Sequence, residues 1–462
     1  MHNKGDGLMQ VIGMHIGSSF AEVCLMRENS KGQLTQASEP VYLYLPRQTL
    51  KSSLPKVLAD ARIDAAFVTT QFLERLFDFR LGGSTAQVVT SGCENWPFLG
   101  SSAAQRGWLH PSKTQPIAAR ELSFPVEERI DSAGNVVTPM NEASLLAIAE
   151  KLKASEIKRV CIHFLNAPAN PSHQTRAAEF FKTQGFDVFV PPTCDHLTEA
   201  HRWRRSTLEA SFSGTFEEIR SDIEKGLEGL VAPDALFFRD RGGFQSPAKT
   251  SRVGSLFGLD EILVSHFPKA TAVLDLGLES WRLVTRKKQS SWESPWGCIV
   301  AQGSARFDLR CQPTSLLEKD SSGDVVIHPK KEGFEPGPLC FGRGQKFLVF
   351  DLFSEELQKQ EGVKQQMPES GVAKKEFFLN TLCRNSRAKD PAKLVQQLRS
   401  DVLESIAWDV QVSAEEGPLV VHGFFASLLG PELRERMPDR EIILSTEASA
   451  SLTAKAGRSP RP

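Results

Sequence analysis

The sequence predicts an α/β fold built from two related lobes that face a central cleft. Two stretches about half a chain apart carry this prediction, residues 11–26 and residues 272–284. Each stretch has the pattern of an apolar strand, a turn that contains glycine, and a second apolar strand. Two such hairpins indicate a duplication, in which one turn from each lobe reaches a ligand bound between the lobes.

Length, charge and cysteine content limit the class of protein. At 462 residues the chain is too long for one ordinary core and predicts two or three domains. Its 55 basic and 56 acidic side chains leave a net charge of −1, so we expect no nucleic-acid partner. No apolar run is long enough to cross a bilayer and no export signal is recognisable, which predicts a cytoplasmic protein without a membrane partner. The eight cysteines lack metal-finger spacing, which is typical of reduced thiols.

The turns of the two hairpins are the first candidate binding elements. Gly17, Ser18 and Ser19 present backbone N–H groups and hydroxyls without bulky side chains, which is what a phosphate group needs. Asp275 and Gly277 stand at the corresponding turn of the second hairpin. The alternative is that both turns only connect strands.

The first lobe is predicted over residues 1–190. Its continuous apolar run at residues 159–165 predicts a strand buried on both faces, and strand, helix and strand in that order imply a parallel pair. The elements predicted after the first hairpin are a helix at 52–61, a strand leading into a helix at 65–76, a strand at 87–90, a hairpin with its tip at 131–135, a helix at 143–153, the strand at 159–165, a helix at 174–184 and a strand at 186–190.

The second lobe is predicted over residues 191–457, followed by a disordered tail at 458–462. Residues 335–344 contain two prolines and three glycines, so their backbone is expected to follow an irregular path. The basic run at 201–205 has the pattern of a solvated helix face, with a subunit contact as the alternative. The other predicted elements are helices at 196–210 and 216–230, a strand at 235–238, the second hairpin, helices within 354–400, a strand at 419–421, a helix within 423–429 and a strand at 441–444.

Taken together, these segments resemble the hydantoinase/5-oxoprolinase family, in particular its hydantoinase A subunit type. The best match is residues 335–344, EPGPLCFGRG, which is similar to the family's DPGPACYGRGG, and Asp351 follows at the spacing of the Asp in the family's TVTDA segment. The resemblance is collinear from the first hairpin to about residue 457. Supporting matches lie at residues 69–75, 128–130, 138–140, 170–173, 206–207 and 241–243.

This resemblance implies the duplicated fold of sugar kinases and actin, which is ribonuclease H-like in each lobe. It also implies an ATP-dependent hydrolase subunit acting on cyclic amides of the hydantoin or 5-oxoproline type, with Mg²⁺ as cofactor and a hydantoinase B-type subunit as partner. Phosphorylation of the amide oxygen turns a poor electrophile into one with a leaving group, while Mg²⁺ and backbone N–H groups neutralise the transferring phosphoryl group.

The same resemblance implies site residues, although it assigns no catalytic residue. A divalent metal in the first lobe is a further implication. The candidate metal ligands are His163 in that lobe and Asp275 at the second turn, where Asp275 would hold Mg²⁺ and the phosphates. The implied cofactor-binding residues are Gly17, Ser18, Ser19, Asp275, Gly277, Arg343, Asp351 and Gly423.

Both turns depart from the family pattern. His15 replaces the Asp of IDVGGTFTD, and an imidazole cannot hold Mg²⁺ as a carboxylate does. In the second turn, Leu278 and Glu279 would bring bulk and negative charge towards the phosphates, and Arg282 replaces an Asp. The alternative function is therefore a pseudo-enzyme of the same fold, which binds a ligand or a partner subunit without ATPase activity and without a cofactor.

Three candidate residues keep a structural alternative. His163 is either a metal ligand or a hydrogen-bonded core histidine. Cys340 would be a nucleophile only if its thiol pKa were lowered, and otherwise packs in a core. Arg343 binds a phosphate or a carboxylate, or it holds its own loop in place.

Overall fold

A computed structural model of the chain describes residues 9–45, 48–58, 62–72, 83–96, 118–193, 198–289, 292–293, 299–300, 303–328, 338–364 and 366–458. The family matches at residues 73–75 and 335–337 lie outside the described residues, as do the predicted helix end at 59–61 and the tail at 459–462.

The N-terminal part of the chain forms the centre of a mixed sheet. The first predicted hairpin is confirmed, since β1 and β2 pair antiparallel, and β5 lies parallel to β1 on its other side. Strands β3 and β4 both pair with β2. These elements are β1 (Gln10–Ile16), β2 (Phe20–Glu28), β3 (Leu34–Gln36), β4 (Val41–Tyr44), α1 (Leu50–Leu58) and β5 (Ala65–Thr70).

The next part of the chain forms a separate four-stranded parallel sheet. Its strand order is β11-β10-β6-β7, and β10 is buried on both faces as its apolar run predicts. The Asn141 side chain accepts a hydrogen bond from Ser144 N and caps α2. The elements are β6 (Thr85–Thr90), β7 (Ser123–Val126), β8 (Arg129–Ile130), β9 (Val136–Thr138), α2 (Glu142–Ala154), β10 (Arg159–His163), α3 (Ser172–Thr183) and β11 (Asp187–Phe189).

One long helix replaces the two helices expected at 196–210 and 216–230. Gly214 lies inside it, where a Cβ atom would overlap the Arg159 guanidinium, so this glycine serves a close side-chain approach and does not end the helix. The chain then returns to the first sheet, where β12 lies parallel to β5. The elements are α4 (Glu199–Gly226), β12 (Leu236–Asp240), β13 (Gly243–Gln245), α5 (Arg252–Ser255) and α6 (Gly258–His266). The predicted lobe boundary at residue 190 therefore does not coincide with the end of the first sheet.

The C-terminal part forms a five-stranded sheet of the order β18-β15-β14-β21-β22. Its elements are β14 (Ala272–Leu276), β15 (Trp281–Gln289), β16 (Trp292–Glu293), β17 (Ile299–Val300), β18 (Gly303–Asp308), β19 (Leu317–Lys319), β20 (Val325–Ile327), α7 (Ser354–Leu357), α8 (Glu361–Lys364), α9 (Glu369–Arg384), α10 (Pro391–Ser413), β21 (Leu419–His422), α11 (Ala426–Arg436), β22 (Ile442–Leu444) and α12 (Ser449–Arg458). Short 3₁₀ helices lie at Arg120–Leu122, Pro233–Ala235, Pro247–Lys249, Leu339–Phe341 and Val349–Phe353.

The two large sheets repeat one topology. In the first, an antiparallel meander β3-β2-β1 is followed by the parallel strands β5 and β12; in the second, β18-β15-β14 is followed by β21 and β22. The predicted duplicated two-lobe α/β fold is confirmed by this repeat. The carboxyl ends of β1 and β14, with their hairpin turns, face each other across the cleft between the sheets.

Helix α12, which the sequence pattern does not indicate, connects the second half of the chain to the first sheet. It packs along β1, where Val11, Ala450 and Ala454 share one apolar cluster. A Cβ atom at Gly13 would overlap the Ala450 carbonyl oxygen, so the glycine permits this close packing. Among the helices of the described residues, none has the length and apolar character needed to cross a bilayer.

Candidate functional site

The turns of the two hairpins touch each other directly. The Glu279 carboxylate, from the second turn, lies against the backbone of the first turn. Its Oε2 accepts hydrogen bonds from Ser18 N and Ser18 Oγ, both at 2.7 Å. Its Oε1 accepts from Ser19 N and Phe20 N, both at 2.5 Å. The predicted phosphate-binding groups of the first turn are therefore brought to the cleft, but they bind a carboxylate of the same chain.

The floor of the cleft holds a buried ion network. Arg282 Nη2 lies 2.8 Å from Asp275 Oδ2, and Arg282 Nε lies 3.1 Å from Asp260 Oδ1. Burial alone would lower the pKa of Arg282, but Asp260 and Asp275 outweigh it and raise this pKa. Asp275, a predicted metal ligand, thus faces a permanent positive charge supplied by the next strand, β15.

His15 is a neutral, hydrogen-bonded member of the same floor. Burial, followed by the Arg282 charge, lowers the pKa of His15 to about 4. Its Nδ1 lies 2.8 Å from Thr69 Oγ1, which in turn lies 3.0 Å from Thr453 Oγ1 on α12. With its amide oriented to satisfy both neighbours, Gln71 donates to His15 Nε2 and accepts from Arg282. The imidazole therefore connects β1, β5 and α12 and carries no charge near neutral pH.

The space left between the turns is small. The cavity measures about 40 Å³, and Glu22, Gly277 and Leu278 are among its lining residues. Tyr42 of β4 and Phe424 also line it, and their rings meet edge to face at 5.1 Å, so an aromatic pair from opposite sheets bounds the cleft. Pockets for small organic ligands usually measure about 300–1,000 Å³. A cavity of this size suits a water molecule, not a nucleotide.

Gly423 lies against the second hairpin. Its φ is +94°, and a Cβ atom there would come within 2.8 Å of the Leu276 backbone and 2.9 Å of Asp275 Oδ1. Phe425 N donates to Leu276 O at 2.9 Å and fixes this contact. The Phe425 ring packs on Trp281 at 5.6 Å. Phe424 thus lines the cleft, and Phe425 packs in the buried core beside it.

Arg343 and Asp351 are not found at the cavity. Asp351 is fully buried and accepts hydrogen bonds from Leu339 N, Cys340 N and Leu348 N at 3.3, 2.9 and 3.1 Å. It therefore fixes the turn that leads into Arg343, which is half-buried between two glycines of positive φ. Among the described residues, neither side chain lines the cavity between the hairpins.

The described part of the segment at 335–344 joins the two sheets. Phe341 is fully buried, and its ring lies 4.8 Å from Tyr44 and 5.3 Å from Phe20, both of the first sheet. Phe350 completes the cluster, stacked 6.0 Å from Phe20. Cys340 is buried beside it, and burial raises the pKa of its thiol well above the usual value, which favours packing over nucleophilic chemistry.

His163 lies far from the cleft, on β10 of the four-stranded sheet. Burial lowers its pKa to about 3, its Nε2 lies 2.7 Å from Ser206 Oγ, and its ring stacks on Trp203 at 5.3 Å. The described residues contain no group of three or more His, Cys, Asp or Glu side chains that could hold a metal ion. This environment favours the core-histidine alternative. The basic run at 201–205 is also not a solvated face, because Trp203 and Arg204 are buried.

Several site residues were missed by the sequence analysis. Glu22 lies within the first hairpin stretch at 11–26 and Gln71 within the matched stretch at 69–75, but neither pattern assigns them a role. Tyr42 and Ser449 line the cavity but carry no motif, and Ser449 belongs to the helix that was not predicted. Only the family alignment of the first turn could have indicated Glu22, since it stands where the family has a second Asp.

Magnesium and ATP do not fit this arrangement. A metal bound to Asp275 Oδ2 would meet the Arg282 guanidinium, which already lies 2.8 Å from that oxygen. A phosphate at Ser18 and Ser19 would meet the Glu279 carboxylate. Like charges at such distances repel strongly in a buried site. Both positions implied for the cofactor are thus taken by side chains of the chain itself.

A model of the hydantoinase/oxoprolinase N-terminal region matches residues 11–185. An uncharacterized protein of Methanocaldococcus jannaschii is 26% identical over 382 residues, which cover 72% of this chain and 54% of that protein. The caprolactamase subunit alpha of Pseudomonas jessenii is 23% identical over 371 residues, covering 72% of this chain and 52% of that subunit. The chain thus spans about half the length of these curated relatives.

Among solved structures, the nucleotide-free acetone carboxylase of ATP-dependent acetone carboxylation matches with a TM-score of 0.75 and 14% identity. The match covers 97% of this chain and 70% of that one. At this identity the likeness establishes the fold alone, and it agrees with the two-lobe topology described above.

Proposed function

Because this chain carries the hydantoinase/oxoprolinase N-terminal region, we propose that it is a non-hydrolysing relative of the ATP-dependent enzymes of that family. In this proposal the fold is retained for binding a partner subunit of the hydantoinase B type, and phosphoryl transfer is absent. Names of relatives such as caprolactamase subunit alpha support a role within a multi-subunit assembly.

One observation carries this proposal: Arg282 is paired with Asp275 on the cleft floor. Asp275 is the acidic residue of the second turn that the resemblance assigns to Mg²⁺. Its Oδ2 is 2.8 Å from a guanidinium that is itself fully buried. Arginine stays protonated in proteins, so this positive charge cannot be removed by titration. Binding a divalent cation would require the buried pair to break, which costs several kcal/mol.

A second candidate function is ATP-dependent hydrolysis of a cyclic amide of the hydantoin or 5-oxoproline type, by phosphorylation of the amide oxygen. The preserved hairpins at Gly17 and Gly277 favour it, as does the similarity to a caprolactamase subunit, since caprolactam is a cyclic amide. It requires Glu279 to leave the first turn, Arg282 to leave Asp275, and the Tyr42 and Phe424 rings to separate.

Titration calorimetry with MgATP separates the two candidates. The wild-type chain is expected to give no saturable heat. The cavity measures only about 40 Å³, and the charges of Asp275 and Glu279 are already satisfied within the chain. The acetone carboxylase whose structure matches this fold is the positive control under the same buffer and metal concentrations. Micromolar affinity of this chain for MgATP would contradict the proposal and favour the hydrolase.

A further inference from the structure

We propose that the Glu279 carboxylate takes the place of a bound phosphate group and holds the two lobes together. It does so by binding a set of donors, the cradle, that still has the chemistry of a phosphate site, and we call this contact the clasp. The cradle is defined here as Ser18, Ser19 and Phe20. This inference deepens the proposed function and rests on it, since it assumes that no nucleotide competes for the cradle in the wild-type chain.

The hydrogen-bond geometry is that of an anion in a backbone nest. Three consecutive N–H groups, of Ser18, Ser19 and Phe20, converge on the carboxylate, and the Ser18 hydroxyl adds a fourth donor. Each carboxylate oxygen accepts two of these hydrogen bonds. Such concave arrangements of successive N–H groups bind phosphate oxygens in many proteins. Glu279 therefore satisfies the donors that a bound phosphate would otherwise satisfy.

Gly17 leaves the space that the Glu279 carboxylate needs to approach the cradle. An added Cβ atom would lie 2.5 Å from Glu279 Oε1 and 2.9 Å from Oε2. Its φ is not in the left-handed region, so the requirement for glycine here comes from space and not from backbone conformation. A glycine kept for close approach of an anion is what a phosphate-binding turn needs as well.

The cradle keeps its shape independently of Glu279. Gly17 N donates to Phe20 O at 2.8 Å within the hairpin, and Leu45 N, directly after β4, donates to Ser19 O at 2.8 Å. The Phe20 ring is anchored between Phe341 and Phe350. Removing the carboxylate should therefore expose an intact set of donors, and an anion from solution should be able to take its place.

The clasp also connects distant parts of the chain. Ser18 and Glu279 are 261 residues apart in sequence, and they belong to the turns of the two different sheets. In this proposal the internal carboxylate holds the lobes closed, as a bound phosphate would hold the corresponding turns of a nucleotide-binding relative. Glu279 therefore acts as a positioning residue for the closed state.

Glu279→Ala tests the proposal directly, with inorganic phosphate as the probe. Thermal unfolding is followed at increasing phosphate concentration, with chloride at the same ionic strength as the reference. Compared with wild type, the variant is expected to have a lower midpoint and to recover it saturably with phosphate. Its phosphate affinity should exceed that of wild type by at least about tenfold. Glu94→Ala is the matched control, since Glu94 accepts one local backbone hydrogen bond, from Gly92 N.

Glu279→Gln keeps the test decisive if the alanine variant does not fold. The carboxamide still fills the cradle but is neutral and presents an NH₂ group to N–H donors, so we expect a lowered midpoint without phosphate recovery. A midpoint equal to wild type in either variant, or equal responses of Glu279→Ala to phosphate and chloride, would overturn the clasp. If wild type instead bound MgATP tightly, the proposed function would fail first, independently of these variants.

Discussion

At the scale of single residues, two side chains change the chemistry of the cleft. Glu279 supplies negative charge to the turn of the first hairpin, and Arg282 supplies positive charge to Asp275. Each takes a position that the family resemblance assigns to part of a magnesium–nucleotide complex. The two residues lie three positions apart and carry opposite charges. One short segment, β15 and the turn before it, therefore supplies both of the charges that pair with groups of the cleft.

Arg282→Met should destabilise the protein strongly. It would leave the buried carboxylates of Asp260 and Asp275 without their central partner, a change that typically costs about 3–5 kcal/mol in the free energy of unfolding. Arg286→Met is the matched control on the same strand, because Arg286 is exposed and donates to the backbone carbonyls of Val264, Phe267 and Ala270. Urea unfolding of both variants measures the difference, and equal losses would contradict the role of Arg282.

At the scale of elements, glycines decide how closely the cleft segments approach. Gly423 ends β21 in a left-handed conformation directly against the β14 backbone. The contact places Phe424 at the cleft, where its ring meets Tyr42, and Phe425 in the core against Trp281. The glycine therefore allows close backbone contact while the two phenylalanines fill the volume around it.

Gly423→Ala should cost more stability than a left-handed conformation alone explains. A left-handed residue with a Cβ atom costs about 1–2 kcal/mol, and here the Cβ atom would also come within 2.8 Å of the Leu276 backbone. Gly185→Ala is the matched control, because Gly185 has a φ of +87° and no atom within 4 Å of the added Cβ. Denaturant unfolding should give a larger loss for Gly423→Ala. Similar losses for the two variants would mean that the backbone contact relaxes at little cost.

At the scale of the whole molecule, several contacts hold the lobes closed. They include the Glu279 clasp, the aromatic cluster around Phe20 and Phe341, and helix α12, which returns from the second half of the chain to pack on β1. Glu22 lines the cleft, and Ala450 N at the start of α12 donates to its Oε1 at 3.4 Å. Closure is thus distributed over both polar and apolar contacts.

The stability of the whole molecule should depend on pH through Glu22. Burial raises the pKa of Glu22 from 4.5 to about 7, so between these values the folded state holds a proton that the unfolded state has released. The contribution of Glu22 to the free energy of unfolding is therefore fully present below pH 4.5 and is lost as the pH rises through 7. The slope is at most about 1.4 kcal/mol per pH unit.

Comparison with Glu22→Gln isolates this contribution, since the lowered pKa values of His15 and His163 act in both proteins and cancel in the difference. In urea unfolding from pH 5 to 8, the free energy of unfolding of the wild type should fall relative to that of the variant as the pH rises. Parallel pH profiles would show that Glu22 has an ordinary pKa.

Much of the architecture could be predicted from local pattern. The two hairpins, the buried strand at 159–163 and the helix that Asn141 caps follow from apolar periodicity and capping residues, which depend on neighbours in sequence. The continuous helix α4 and helix α12 were not predicted. Gly214 lies inside α4 against the Arg159 side chain, and α12 is stabilised by contacts with a strand more than 400 residues earlier in the chain.

Local sequence patterns predict the duplicated fold, and comparison with the family's turn patterns reveals the departures at His15, Glu279 and Arg282. The partners of the charged side chains follow only from the packing of the chain. Glu279 contacts the backbone of a turn 261 residues away, Arg282 contacts Asp275 and Asp260, and Asp351 contacts its own loop. The physical reason is that the identity of a charge can be read from one residue. The partner of that charge depends on how the two sheets pack together. In the packed structure, the Glu279 carboxylate itself occupies the donors that an anionic ligand would otherwise bind.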